Sequence, residues 1–423
     1  MNDEKKILFL VLNTWSNETI GIYDYSSSAI KKINAFITES TYVVRTKNNL
    51  FLNIEQHADI NTKNGDDLLF YVNNNIKNKF VLMNPLPKNL KLNDVNFEYI
   101  NNKIWYVIKT INDDEGNQNS IKECNEDYNL KENDLLKLGR VKYAVQKIKI
   151  SNSSNNSGGA EPAMAINEIK YNISDLNKDL GPVFQFEFLV TNFSNYIDTN
   201  KKGSAQEGNE IIICKECNNY KSNETDDGEN PLISFCKCKE LLHFKCLKRK
   251  IKEKIEIVND EEKSEYVESM VFKNFECNKC GMQYPVKFKL EGFDKVFNLV
   301  DVNEPDGDFM ILESIDYKQY EQYYKSIHII KFLKETITIG RDTFNDVGDR
   351  DISISRNHAL LKLKNDKIYI ENVSKKFGTQ VLVRKPIQIL DKTIYLQIGR
   401  TYVEARLMNQ KEFEQKMKEQ KKE

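Results

Sequence analysis

The chain has 423 residues, 40% of them hydrophobic, and its 62 Lys and Arg against 63 Asp and Glu leave a formal net charge of −1. That length accommodates about two to four domains. The charge balance gives no global electrostatic case for direct binding of nucleic acid or of an acidic membrane surface.

In chain order, the first apolar run is ILFLVL at 7–12. It is far shorter than the roughly 20 residues of a spanning helix and has no small-residue cleavage site, so it reads as a buried strand. The expectation is a soluble protein of the cytoplasm or nucleus. TYVVRT, NLFLNI, LLFYV, KFVLM, IWYVIKTI and KYAVQKI follow, separated by polar turn clusters, which makes 1–150 a β-rich N-terminal domain. SNSSNNSGGAEP opens a flexible linker, 151–165, and 166–204 is a connecting region with one strand candidate, VFQFEFLV. A cysteine-rich segment occupies 205–292. β signals return over 306–408 in FMILESI, SIHIIKFL, TITIG, ALLKLK, KIYIENV, TIYLQIG and YVEARL, the pattern of a β-sandwich. A charged tail, 409–423, reads as a solvated helix. The fold class is therefore multidomain and mainly β, with a small α+β zinc module.

A weak internal repeat aligns LKENDLLKLGRVK at 130–142 with LDKTIYLQIGRTY at 390–402. It allows the N-terminal domain to be a diverged copy of the C-terminal sandwich, with chance likeness between two hairpins as the other reading.

Seven of the eight cysteines lie between 214 and 280. With one histidine they form four pairs: Cys214-x2-Cys217, Cys236-x-Cys238, His243-x2-Cys246 and Cys277-x2-Cys280. Such short loops let two side chains converge on one tetrahedral ion, so eight ligands predict two closed structural zinc sites. The C4HC3 order suits a cross-brace. One ion would then take Cys214, Cys217, His243 and Cys246, and the other Cys236, Cys238, Cys277 and Cys280. With no open coordination position, the zinc is not expected to be catalytic.

NPLISFCKCKE at 230–240, HFKCLKRKI at 243–251 and FECNKCGMQYP at 275–285 resemble the RING-variant (RING-CH) zinc domain. The resemblance implies a ubiquitin ligase that recruits a ubiquitin-conjugating enzyme and does no covalent chemistry itself. Glu216 and Lys250 stand where that family has the apolar residues that dock the conjugating enzyme. The short gap from Cys238 to His243, and Phe275 two residues before Cys277, are instead similar to plant homeodomain fingers, which read histone tails.

In DISISRNHALL, at 351–361, four polar residues interrupt a strand pattern. Upstream, TITIGRD ends a strand at Gly340-Arg341; downstream, KKFGT follows IENV. This trio of donor-rich loops resembles the forkhead-associated (FHA) domain, which implies recognition of a threonine-phosphorylated partner. Arg341 offers bidentate donors and Ser355 a hydroxyl for a phosphate bearing about −1.5 to −2 charge. Arg356, Lys375 and Lys376 add positive potential, and the resemblance makes Gly340 and His358 structural residues of the loops. Phe377 replaces the Asn that grips peptide backbone in that family.

Two functions are therefore in view. One is a phosphothreonine-dependent adaptor whose zinc module makes it an E3 ubiquitin ligase. The other is a non-enzymatic phosphopeptide-binding scaffold or chromatin reader.

Overall fold

The computed structural model describes residues 6–15, 22–28, 30–45, 67–76, 79–84, 103–108, 127–151, 188–190, 213–219, 229–235, 240–258, 265–273, 275–281, 284–290, 296–315, 318–319, 322–341, 345–348 and 351–420. The chain is mainly β and divides into two compact units. One comprises Met1–Leu180 with Phe332–Glu423, and the other Gly181–Lys331.

In the first unit the two ends of the chain share a sheet. Ile7–Trp15 pairs antiparallel with Ile30–Ile37 on one side and with Thr401–Met408 on the other. Onward from Thr401–Met408 the order is Ile394–Ile398, Trp105–Ile108, Thr379–Leu382, Leu135–Leu138 and Val141–Lys149. Strands from before residue 150 and after residue 378 are thus interleaved in the sheet. The expected N-terminal domain, 1–150, and the expected sandwich, 306–408, interleave here through their backbone hydrogen bonds.

Within this strand Ile7–Leu12 is apolar without alternation because both its faces are covered. Leu8, Leu10 and Leu12 join Leu396 and Val403 in a core with Phe70, Val72, Phe80 and Leu82. Those last four lie on a second sheet, ordered Ile387–Gln388, Lys79–Met83, Asp67–Ile76, Thr41–Arg45. Ile7, Phe9 and Val11 point the other way, into a smaller cluster with Met408, Phe36 and Phe413.

Phe413 belongs to the helix Gln410–Gln420, within the segment read from sequence as a solvated tail. Asn409 Oδ1 accepts from the Glu412 N–H at 2.9 Å and Glu412 Oε2 from the Asn409 N–H at 3.3 Å, a reciprocal cap that starts the helix. Its one aromatic then seats it: the Phe413 ring lies 5.1 Å from that of Phe36, and Lys416 Nζ lies 4.9 Å from the Phe9 ring.

A third sheet of the same unit carries the loops of interest. Its order is Val347–Gly348, Thr336–Gly340, Ala359–Lys364, Lys367–Asn372, Tyr128–Asn129. Alternation is clean here, with Ile337, Ile339, Leu361, Ile368 and Ile370 all buried.

The second unit has an antiparallel sheet ordered Ile255–Val258, Val267–Lys273, Gln322–Lys331, Phe309–Ile315. FMILESI and SIHIIK, expected to begin the C-terminal sandwich, pair in this unit. Alternation marks a strand but not its partner, which is why the sequence left them with their neighbours. The helix Phe244–Lys252 buries Phe244, Leu247 and Ile251 among Phe272, Phe288 and Phe297. Phe275, which is similar in position to a plant homeodomain aromatic, is a core residue beside Phe272, with ring centroids 5.1 Å apart. Among the described residues, no helix is long and apolar enough to cross a membrane.

This interleaving predicts that a fragment of residues 332–420 does not fold alone, because Ile7–Trp15, Trp105–Ile108 and Leu135–Leu138 would be missing from its sheet. Its amide spectrum should be collapsed, and addition of residues 1–151 should restore dispersion. A well-dispersed spectrum from the fragment by itself would refute the prediction.

Candidate functional site

Three loops of the first unit meet at one edge of its third sheet. Gly340-Arg341 ends the strand Thr336–Gly340, and the Arg341 N–H donates to the Ser355 carbonyl at 2.9 Å. The approach is too close for a side chain at 340, where a Cβ would collide with the Arg356 carbonyl. Asn345 Nδ2 donates to that same carbonyl at 2.6 Å, so the loop holding Ser355 and Arg356 is pinned from two sides. The Arg341 and Arg356 side chains are exposed and Ser355 is half-buried.

His358 is fully buried behind the loop. Its Nδ1 accepts from the Ser355 N–H at 3.0 Å, leaving Nε2 to carry the proton toward the Gly378 carbonyl, 3.4 Å away. Its own carbonyl accepts from the N–H groups of Val373 and Ser374 at 3.0 and 3.1 Å. One histidine thereby ties two of the loops together. Burial pushes its pKa down to about 4, against a smaller upward pull from the Gly378 carbonyl.

Two further residues serve the edge that the sequence reading passed over. Ser374 Oγ accepts from the Phe377 N–H at 3.1 Å and lies 2.6 Å from Ser355 Oγ. Either hydroxyl of the Ser355–Ser374 pair can be the donor, and when Ser374 donates, the Ser355 hydroxyl hydrogen is free to point at a ligand. Arg140 is the second. Its Nε and Nη2 reach Asp351 Oδ2 at 2.9 and 2.8 Å, and Asp351 is wholly buried. Asp351 Oδ1 in turn accepts from the Ser353 N–H, and the Arg140 N–H donates to Ser353 Oγ. Gly139, at φ +61°, lets this turn press against Ser353, where a Cβ would strike the carbonyl. The signal was the Gly-Arg of the 130–142 repeat, which is a brace for the loop.

Lys376 is exposed on the third loop, with its ammonium 3.9 Å from a carboxylate oxygen of Asp24. The edge therefore gathers Arg341, Ser355, Arg356, Lys375 and Lys376. Phe377 is half-buried in place of the expected Asn.

Residues 337–400 match the family model of the FHA domain. The match spans all three loops and lies wholly within the first unit. Comparison with curated proteins and with solved structures yields no match.

The second unit holds a separate cluster. The ligand atoms of Cys214, Cys217, His243 and Cys246 all lie within 4.8 Å of one another. Cys214 and Cys217 sit in a tight turn in which the Asn218 N–H returns to the Cys214 carbonyl at 2.9 Å, with Asn218 at φ +58°. His243 ends the short strand Leu242–His243, and Cys246 lies in the first turn of the helix that follows. The His243 N–H donates to Cys214 Sγ and Cys217 Sγ lies against His243 Nδ1, each at 3.3 Å. Burial pushes the Cys214 thiol up, but backbone N–H groups of His243, Cys217 and Glu216 outweigh it and hold the pKa below the usual range. Burial and the negative charge of Cys214 push Cys246 up to about 12. Three thiols, which repel one another once ionised, and a neutral imidazole within ligand reach suit a divalent cation and can hold one metal ion.

These four are one of the two ligand sets expected from the cross-brace order. Cys277 and Cys280 form a second tight turn, closed by the Gly281 N–H on the Cys277 carbonyl at 2.9 Å with Gly281 at φ +67°. Cys277 Sγ lies 3.7 Å from Glu240 Oε2. Cys236 and Cys238 lie outside the described residues. Glu216 is exposed beside the helix, 4.0 Å from Arg249.

Because unfolded histidine titrates near 6.5 and buried His358 near 4, the folded state loses stability as pH falls through that window. Denaturant midpoints should drop between pH 6.5 and 4, and His358→Asn, though less stable throughout, should drop less. His328, also lowered to about 4 by burial, is common to both proteins. Parallel curves would exclude His358 as a source of the slope.

Proposed function

We propose that this protein is a phosphothreonine-dependent adaptor. The observation that carries the reading is the convergence of Arg341, Ser355 and Lys376 on three loops joined by buried His358 and by the Arg341 N–H on the Ser355 carbonyl, within a segment that matches the FHA domain. Arg341 supplies bidentate, charge-assisted hydrogen bonds to phosphate oxygens, and Ser355 donates through a hydroxyl oriented by Ser374. Arg356 and Lys376 supply further positive potential. Threonine phosphorylation of a partner is thus converted into binding at this edge.

The second unit acts as a structural zinc module that presents another protein. Cys214, Cys217, His243 and Cys246 hold one zinc, and Cys277 and Cys280 hold a second together with Cys236 and Cys238. The coming together of the first and third ligand pairs supports the cross-brace on which the RING-variant reading builds. On it, the module recruits a ubiquitin-conjugating enzyme to the phosphorylated partner, raising the local concentration of target near the ubiquitin thioester. A specific observation favours the non-enzymatic scaffold as the second reading. Glu216 is exposed and, with Lys250, puts charge where an apolar docking shelf would be needed.

Two experiments test the proposal on the full chain. In calorimetric titrations, Arg341→Ala should abolish binding of phosphothreonine peptides while leaving the unfolding temperature unchanged; equal binding by the variant would sink the phosphothreonine reading. By elemental analysis, Cys246→Ser should lose one zinc ion per chain relative to the unaltered protein. Unchanged zinc content would remove Cys246 from the metal site.

A further inference from the structure

The segment Ile22–Ser28 is far in sequence from the FHA loops, yet it is fastened to one of them. The Tyr25 N–H donates to the Lys376 carbonyl at 2.9 Å, and the Tyr25 ring lies against Gly378 so closely that a Cβ there would come within 2.6 Å of it. The Tyr25 hydroxyl donates to Gln397 Oε1 at 2.5 Å and accepts from Gln380 Nε2 at 3.2 Å. Its ring packs between those of Trp15 and Tyr402, at centroid distances of 5.5 and 5.3 Å.

This anchoring fixes Asp24. Its carbonyl accepts from Trp15 Nε1 at 2.9 Å and from the Ser27 N–H at 3.1 Å. Its Oδ1 accepts from the Ser26 N–H and hydroxyl at 2.9 and 2.6 Å. The second carboxylate oxygen, Oδ2, is left to face Lys376 Nζ at 3.9 Å, with Lys376 65% exposed and Asp24 33%. The backbone on both sides of Asp24 and one of its two oxygens are therefore held, while the charge itself looks onto the loop that carries Lys376. An ion pair this long and this wet contributes little to stability. Its position gives it another use.

We infer that Asp24 is a specificity-determining residue of the phosphopeptide edge. It places a fixed negative charge at the Lys376 end of an otherwise cationic surface. The site then favours phosphothreonine peptides with a Lys or Arg at the flanking position that meets this end, and disfavours an acidic residue there. The inference rests on the phosphothreonine reading above.

Asp24→Asn is a clean probe, because the amide keeps the oxygen that accepts from Ser26 and loses only the charge. The full chain and this variant would be titrated by fluorescence anisotropy with pairs of phosphothreonine peptides. Each pair is identical except for Lys or Glu at one position, scanned over the three residues either side of the phosphothreonine. At one position the unaltered protein should prefer Lys, and Asp24→Asn should shift the ratio about fivefold toward Glu, the size of one screened charge pair near 4 Å. Lys376→Gln should shift the same ratio toward Lys. Lys/Glu ratios unchanged by Asp24→Asn at every position would overturn the inference and leave the phosphothreonine reading standing. Failure of the unaltered protein to bind any of the peptides would overturn both.

Discussion

The antiparallel pairing of Ile7–Trp15 with Thr401–Met408 is the constraint on which the first unit depends. It brings together segments nearly 400 residues apart, at a loop-closure cost that grows only logarithmically with the intervening length. The return is burial on both faces of a continuous apolar strand, Leu8, Leu10 and Leu12 on one side and Ile7, Phe9 and Val11 on the other. The sheet so formed supplies Gln380, Gln397 and Tyr402, against which Tyr25 is seated. The proposed recognition edge is thus built by both halves of the chain. Arg140 braces the loop of Asp351 from one N-terminal segment, and Asp24 approaches Lys376 from another.

The zinc-type cluster follows different physics. Cys214, Cys217, His243 and Cys246 are brought together by two short loops and the start of a helix. Its local scaffold includes a pair of two-residue strands, Leu232–Ile233 and Leu242–His243. So little secondary structure offers small cooperative gain on ordering, and a divalent ion held by the four ligands would supply folding free energy that such loops cannot. The nearby aromatic core of Phe244, Phe288 and Phe297 holds the helix, and Cys214 is buried in the same core with Cys217 and Cys246 packed against it.

Chemistry was more legible in the sequence than pairing. The Cys/His set showed itself because metal ligands must come as specific residue types at short spacing, and the structure brings four of them together. Gly340, Arg341, Ser355 and His358 stood out because polar residues interrupted strand patterns. The strands themselves were visible as period-two or continuous apolar runs, but a strand pattern is silent about its neighbour. For that reason Phe309–Ile315 and Gln322–Lys331 were grouped with the sandwich, and the interleaving of 1–150 with the C-terminal strands went unseen. Arg140, Ser374 and Asp24 were missed for a related reason. Each acts through a partner at a turn or loop, and no local composition distinguishes such a residue from an ordinary surface Arg, Ser or Asp.

The same end-to-end pairing has a temporal side. At a synthesis rate of about 5–20 residues per second, roughly 20–80 s separate the emergence of Ile7–Trp15 from that of Thr401–Met408. During that interval Ile30–Ile37 can satisfy one edge of the first strand, while the other presents unpaired backbone beside an uncovered apolar face. An open strand edge of that kind is a template for pairing with the wrong chain. The nascent protein therefore has a long window in which a chaperone holding Ile7–Trp15 and Ile30–Ile37 would matter more than one acting on the folded unit.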